Sequence, residues 1–368
     1  MRRALILLAL LLFCGVSARA EGSVDAVIDA LDLRALEEAA EGTGIDVRDM
    51  LLSIASGEET WELSDALARL RDAFFEEFRS AAALVAALLA PALFSAIARQ
   101  LAGAGRGAGA VSQVCCLVCA AQLIAWFMRL TAEAEALIAR VASLADGVFP
   151  VLASLLSLAG ATATAAMVTP LSALAGNAFS RLLAGVGLKL CTIAAALAAA
   201  GQLSPNLRLS RLFHLVRSVV NWGAGVLMTG FLGLSAVRAL LSTGYDSAAV
   251  RTARYAVDNL LPVVGGEVAN TMDALVSSVL LVKNAAGATG LIALLVFCAR
   301  PLFALMAALF ALRLASALLE PVAEEGLIAL AERFSQVAAM LLVICASAAV
   351  ILTLLLGGTL TAGQSMVR

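Results

Sequence analysis

The side chains best suited to chemistry in this sequence lie on one short segment between Glu267 and Ser278. Placed on a helix at 100° per residue, the segment separates into an apolar face and a face of carboxylates, amides, hydroxyls and small residues. Such a face can line a water-filled path, contact another subunit or belong to an ordinary loop at the membrane surface. The candidate pore-lining or subunit-contact residues are Glu267, Asn270, Thr271, Asp273 and Ser277.

Helix-breaking residues stand immediately before this polar face. Pro262 and the pair Gly265–Gly266 follow an amphipathic stretch that predicts a helix over 249–260. Proline lacks a backbone N–H, and glycine widens the allowed backbone conformations. Region 242–287 is therefore predicted to be a polar helix–hinge–helix unit, with Pro262, Gly265 and Gly266 as the candidate hinge residues.

Three other motifs invite a catalytic or ligand-binding interpretation, and each lacks its context. The GAGRGAG run at 103–109 joins two apolar helices, whereas a phosphate loop joins a strand to a helix. Cys115 and Cys119 share a helical face without a second pair of metal ligands nearby, and His214 has no nucleophile partner. The sequence therefore predicts no catalytic residue, no metal site and no cofactor, and the protein is not expected to be an enzyme.

The composition is that of a polytopic membrane protein. Of 368 residues, 62% are hydrophobic and 14% are charged, and the mean hydropathy is +0.98. Soluble domains are nearer half apolar and a quarter charged. Runs rich in Ala and Leu favour helices, so an all-α fold of membrane helices is expected in a lipid bilayer. The net charge of −2 suggests no nucleic-acid partner.

Six apolar segments reach the length that crosses a bilayer as a helix. A seventh, Val151–Val168, is less certain because it is rich in Gly and Thr and is followed by Pro170. Pro91 and Pro301 fall inside spans and are expected to kink them. The six clear spans are Ala81–Ala98, Ala110–Met128, Leu182–Ala200, Trp222–Leu241, Gly290–Phe310 and Val337–Leu356.

Basic residues leave the orientation open. With six or seven spans, Arg and Lys in the loops divide evenly between the two sides. The segment Gly201–Asn221 has the pattern of a basic amphipathic helix, and its charge places it in the cytoplasm, which favours six spans with Val151–Val168 not crossing. Lys189, Arg238 and Arg300 fall within spans, where they either snorkel to the surface or face a protein interior or a wet path.

The first twenty residues have the three parts of a secretory signal. Arg2 and Arg3 are basic, Ala4–Phe13 is apolar, and the segment ends in a small-x-small pattern before Glu21. We therefore expect residues 1–20 to be a signal peptide and Glu21 to be the mature N-terminus, outside the cytoplasm. An uncleaved anchor is the alternative.

An acidic segment, 21–80, follows the signal. It has sixteen Asp and Glu against five Arg and contains no Cys. Its capping patterns predict three exported helices, the second from Asp46 to about Gly57 and the third running into the first span. The acidic side chains form either a solvated surface or a docking face for a basic partner. Regions 81–241 and 288–368 are the first and the C-terminal membrane helical regions.

One part of the chain has a specific resemblance. The segments Tyr255–Leu295 and Leu318–Glu325 resemble the signature regions of the stage III sporulation protein AE family of endospore-forming bacteria. The resemblance implies a multi-pass protein of the mother-cell membrane around the forespore. It further implies a place in a channel-like, secretion-related apparatus with other stage III membrane and ring-forming proteins. No active site is known for the family, so none is implied here.

Two classes of function remain open. The first is a non-enzymatic channel component, and self-association into a homo-oligomer is compatible with it. The second is a secondary transporter or permease for a small molecule. Transporters commonly carry inverted repeats with broken helices in matching positions, and Pro91 and Pro301 are the only rough pair found. Purification together with other apparatus subunits, or alone with a ligand, would separate the two.

Overall fold

Helices account for nearly all of the backbone in the computed structural model, which describes residues 37, 47–56, 63–102, 106–203, 209–260, 265–321, 323 and 325–361. No strand occurs in these ranges. A bilayer offers no partner for backbone N–H and C=O groups, so a spanning segment must satisfy them within itself, and residues such as Ala and Leu do so at low cost in a helix. The predicted all-α class is confirmed.

Within those ranges we number nine α-helices and two π-helical segments in chain order. They are α1 (Val47–Ser56), α2 (Leu63–Ala102), α3 (Arg106–Leu158), α4 (Thr162–Ala173), π1 (Leu174–Phe179), α5 (Ser180–Leu182), π2 (Leu183–Leu188), α6 (Lys189–Leu203), α7 (Ser210–Leu260), α8 (Gly265–Leu319) and α9 (Glu325–Thr361). The segments from α4 to α6 follow one another without a break, so they form one helical rod with two wider π turns.

The N-terminal helices agree with the sequence pattern where they are described. Helix α1 covers the second predicted acidic helix. Helix α2 passes through the predicted boundary at residue 80, so the third acidic helix and the first span are one continuous helix. The predicted signal peptide and, apart from Glu37, the first acidic helix lie outside the described residues. Export of the acidic segment stays a prediction.

Six helices are long and apolar enough to cross a membrane, as expected for the six-span arrangement. Each contains or largely overlaps one of the six clear spans of the sequence analysis. Among the described residues the candidate spans are Arg71–Ala98, Gln113–Leu158, Ser180–Gly201, Ser210–Val237, Ala274–Leu319 and Glu325–Leu360. The chain is therefore a polytopic helical membrane protein.

The uncertain segment Val151–Val168 is not one helix. Helix α3 ends in a turn in which Gly160 has a φ of +86°, a left-handed conformation that favours glycine. The amide of Ala161 donates to the carbonyl of Leu156 at 2.8 Å, and that of Gly160 donates to Ser157 at 3.1 Å. These two bonds form a Schellman motif, which stops a helix and reverses the chain. The stretch therefore holds no uninterrupted seventh span, in agreement with the six-span arrangement that the sequence favoured.

The basic segment Gly201–Asn221 differs from the expectation of one separate amphipathic helix. Helix α6 ends at Leu203, and Ser210 begins a new helix that continues without interruption to Leu260. Most of the predicted loop helix is therefore the first turns of a spanning helix. Its cytoplasmic location stays a prediction.

The longest helices exceed what a bilayer requires. Helix α3 has 53 residues and α8 has 55. At 1.5 Å per residue each is about 80 Å long, whereas the hydrocarbon core of a bilayer is about 30 Å thick. Each helix must therefore extend into water or shield part of its length from lipid.

Close packing of α3, α8 and α9 forms the centre of the bundle. A Cβ atom on Gly287 would lie 2.6 Å from a methyl carbon of Leu360, and one on Gly290 would lie 3.2 Å from Val148 and 3.9 Å from Leu356. Helices α8 and α9 are therefore antiparallel, with α3 against both. Lipid tails are as apolar as Leu, so association here depends on close contact between small residues.

Candidate functional site

The predicted polar face lies at the start of α8. Glu267, Asn270, Thr271 and Asp273 belong to its first turns, so their helical backbone is confirmed. The surroundings of their side chains lie outside what the structure describes. Ser277, one turn further, is exposed. The role of this face as a pore lining or subunit contact stays a prediction.

Two helices flank the predicted hinge. Helix α7 ends at Leu260, and Gly265 and Gly266 are the first two residues of α8. Pro262 lies outside the described residues. A helix on each side of the break is confirmed, and the hinge function of the three residues is still to be tested.

A buried lysine follows the polar face and was not singled out from the sequence. Lys283 is 0% exposed, and its Nζ atom donates to the carbonyls of Thr359 and Leu360, each at 3.1 Å. These carbonyls belong to the last turn of α9, where the helix leaves backbone acceptors without intrahelical donors. The ammonium therefore satisfies the end of α9 and neutralises the negative end of its dipole.

Small residues next to Lys283 make this contact possible. Gly287 lies one turn further along α8 and is in contact with Leu360. Ala285 and Ala286, which lie between Lys283 and Gly287 in the sequence, are fully buried. A Cβ atom at 287 would meet the side chain of Leu360, so the small residues of KNAAGATG at 283–290 allow the close junction of α8 and α9.

A charged cleft of about 550 Å³ opens between α2, α3 and α8. Three glutamates and three arginines line it together with a few apolar residues, so its formal charge is balanced. Helix α2 supplies two carboxylates, α3 supplies a carboxylate and two guanidinium groups, and α8 supplies one guanidinium group. The charged lining residues are Glu76, Glu77, Arg129, Glu133, Arg140 and Arg300.

Arg300 connects two of these helices. Its Nε atom donates to an oxygen of Glu77 at 3.0 Å, and one of its terminal nitrogens lies 3.7 Å from an oxygen of Glu76. The side chain of Glu77 is 17% exposed, whereas that of Arg300 is 66% exposed. Glu133 interacts electrostatically with both Glu77 and Arg300. The cleft is therefore an accessible ionic site, at which Arg300 of α8 pairs with carboxylates of α2.

This arrangement answers two questions from the sequence. Arg300 was recognised as costly inside a span, and the structure gives it carboxylate partners. The acidic segment was expected either to be solvated or to dock a basic partner, and its last carboxylates pair with a basic residue of the same chain. Glu77 and Arg300 are 223 residues apart, so no local pattern could show the pair. Arg129, Glu133 and Arg140 share one helical face, which was a usable but overlooked signal.

The cysteine and histidine residues considered in the sequence analysis lie among contacts between and within helices. Cys119 is fully buried, and its sulfur lies 3.9 Å from the carbonyl oxygen of Leu88. In the described ranges no three His, Cys, Asp or Glu side chains are grouped to hold a metal ion. His214 is exposed on α7, and Arg217 donates to the side-chain oxygen of Gln336 at 2.9 Å. The contacts of Cys119 and Arg217 connect neighbouring helices.

Comparison with known proteins identifies the family. The family model of stage III sporulation protein AE matches residues 45–363. Stage III sporulation protein AE of Bacillus subtilis (strain 168) is 27% identical over 172 residues, which are 47% of this chain and 43% of that protein. The matched part thus spans less than half the length of this relative, and no solved structure matches. Because the family model extends over all the numbered helices, from just before α1 to just past the end of α9, the chain belongs to the stage III sporulation protein AE family.

Proposed function

We propose that this membrane protein of sporulation is a non-enzymatic subunit of a channel-like, secretion-related apparatus between mother cell and forespore. It would reside in the mother-cell membrane around the forespore, with the acidic segment exported after removal of the signal peptide. Its partners would be other stage III membrane proteins and ring-forming proteins. Family membership and six candidate spans support the coarse assignment.

The charged cleft is the observation that favours a channel or assembly role. Ionised side chains are costly in hydrocarbon, yet three glutamates and three arginines meet where candidate spans pack together. Lipid therefore does not cover the cleft, which faces either water or a partner. Neither His nor Cys lines the cleft, and Arg300 pairs with Glu76 and Glu77. The geometry therefore favours a wet or protein-contacting surface over a reaction centre.

Copurification from sporulating cells tests the proposal. The full-length protein, tagged at its C-terminus and extracted in a mild detergent, should retain other identified stage III membrane and ring-forming proteins. A soluble secreted protein and an unrelated multi-pass protein serve as controls for non-specific recovery. If the protein instead purifies alone and binds a small molecule saturably, the transporter alternative replaces the proposal.

The polar face of α8 provides a second test. Replacing Glu267 and Asp273 together with Leu raises apolarity, so insertion and abundance should be unchanged. Assembly or sporulation should nevertheless be lost if the face meets water or a subunit. The matched control replaces two exposed carboxylates near the other end of the bundle, Glu320 and Glu332, with Leu. Wild-type assembly and sporulation in the first variant would show that the face is only a solvated surface.

A further inference from the structure

The helical rod from α4 to α6 is interrupted twice within fifteen residues. Two π segments of six residues each, Leu174–Phe179 and Leu183–Leu188, flank the three-residue turn α5. Well under 1% of residues in globular proteins are π-helical. We propose that this part of the rod is a two-position joint, in which α5 rotates about the rod axis by about 100° and so holds or releases α7.

The two π segments share a sequence as well as a geometry. Each begins with Leu-Ala-Gly, at 174–176 and at 183–185. Glycine is conformationally permissive, so it lowers the cost of leaving the α-helical pattern. A π turn closes its hydrogen bond at i→i+5 instead of i→i+4, so it holds one residue more than an α turn. Each π segment is therefore equivalent to one extra residue in an otherwise continuous helix.

An extra residue can change its place without breaking the helix. If π1 advances toward α6, each residue that it passes takes the direction of the residue after it, a rotation of about 100°. Ser180, now buried, would take the direction of exposed Arg181, and Leu182, now exposed, would take that of buried Leu183. Arg181 would stay outside. Both positions of α5 thus keep an apolar side chain against the bundle and the guanidinium group away from it.

The packing holds the two ends of the rod and leaves its middle loose. Val168 of α4 and Cys191 of α6 are fully buried, and a Cβ atom on Gly187 would lie 3.1 Å from the side chain of Ile344. Between these fixed points, Ser180 and Leu183 border a small cavity of about 10 Å³ that faces α3 and α9. Because this space is not closely packed, α5 has room to turn.

The rotation would change a contact with α7. Phe179, the last residue of π1, lies edge-to-face with fully buried Phe231 of α7, with ring centroids 5.8 Å apart. When π1 advances, Phe179 takes the direction of Ser180, toward the cavity, and leaves Phe231. The contact exists in one position of the joint only, so a force that displaces α7 shifts the joint, and the joint in turn shifts α7.

The rate of thiol modification tests the rotation. In full-length protein carrying Cys14→Ala and Cys116→Ala, the described cysteines that remain are buried. Ser180→Cys places a thiol on α5, and the matched control Ala165→Cys places one at a buried position of α4. In detergent-extracted protein, N-ethylmaleimide should modify Ser180→Cys at least tenfold faster than Ala165→Cys, because only α5 turns outward. Adding Phe231→Leu should raise the first rate and leave the second unchanged.

A single deletion tests whether π1 is the moving part. Removing Gly176 takes out the extra residue of π1 and leaves every later residue in its present register. Modification of Ser180→Cys should then fall at least tenfold, and Tm should change by less than about 2 °C. The matched control deletes Ala195 from the regular helix α6. That deletion turns the rest of α6 by about 100° and should lower Tm much further.

Four results would overturn the inference. Equal rates at Ser180→Cys and Ala165→Cys would mean that α5 does not rotate. A rate at Ser180→Cys that survives the deletion of Gly176 would mean that π1 does not cause the rotation. A fall in Tm as large as that from deleting Ala195 would show that π1 holds no extra residue. An unchanged rate with Phe231→Leu would mean that the joint does not hold α7.

Discussion

Replacing Lys283 with Met should loosen the junction of α8 and α9. Methionine has nearly the length of lysine and fills the same space, so the change removes the ammonium group without leaving a large cavity. It deletes both 3.1 Å hydrogen bonds to the carbonyls of Thr359 and Leu360. Those carbonyls remain near the end of α9, where Thr359 is fully buried, so its carbonyl in particular is left without a donor.

The expected loss follows from these contacts. A hydrogen bond to a charged group contributes about 1.5–3 kcal/mol, so two such bonds give roughly 3–6 kcal/mol before compensation. The variant no longer has to bury an ammonium ion, which offsets part of this loss. We expect a net destabilisation of about 2–3 kcal/mol, equivalent to a fall in Tm of about 4–6 °C at roughly 2 °C per kcal/mol for a chain of this size.

The fall in Tm can be measured with a fluorogenic thiol dye. Cys191, Cys298 and Cys345 are buried, so they react with the dye only when the bundle unfolds. The matched control is Lys189→Met, which changes an exposed lysine in the same chain and should shift Tm by less than about 1 °C. Equal Tm values for Lys283→Met and Lys189→Met would refute the reasoning, because the buried lysine would then contribute no more than the exposed one.

Three further predictions concern other parts of the chain. Gly287→Val should lower Tm further than Gly223→Val, because the first Cβ meets Leu360 at 2.6 Å and the second meets open space; equal shifts would contradict the packing described. A double-mutant cycle of Glu77→Gln and Arg300→Gln should give a coupling of at most about 1 kcal/mol, since Arg300 is largely exposed. A coupling above about 3 kcal/mol would mean that the cleft excludes water. N-terminal sequencing of membrane-extracted protein should begin at Glu21, and a retained Arg2 would rule out cleavage.

The helices are predicted well from the sequence because helix formation depends on the local pattern of residues. Apolar runs of sufficient length and good helix formers define six spans, and the turn chemistry around residues 46 and 57 places α1 to within about a residue. The uncertainty at Val151–Val168 is also local in origin. AGATATAA counts as apolar and small, so hydropathy cannot tell a span from two helices joined by a Schellman turn at Gly160.

The sites depend on pairings that no local pattern contains. Lys283 contacts carbonyls 76 and 77 residues away, and in the sequence it is only a lysine inside an apolar run. The pair of Glu77 and Arg300 is separated by 223 residues. In both cases the energetic need was visible, because a buried or membrane-level charge requires a partner. Which partner meets that need is decided by how the long helices pack.

The exposed polar residues of α3 between Arg129 and Ser154 were overlooked for a different reason. Alanine counts as apolar in hydropathy, so positions such as Ala132, Ala136 and Ala139 hide the polar character of the residues between them. Packing resolves this ambiguity, since the inward face of α3 is filled by large apolar side chains and the outward face by small and charged ones. An alanine there gives lipid little to pack against, while it leaves room for water beside the neighbouring charges. The same residue type therefore supports close helix contact on α8 and an open polar surface on α3, and only its position in the bundle distinguishes the two.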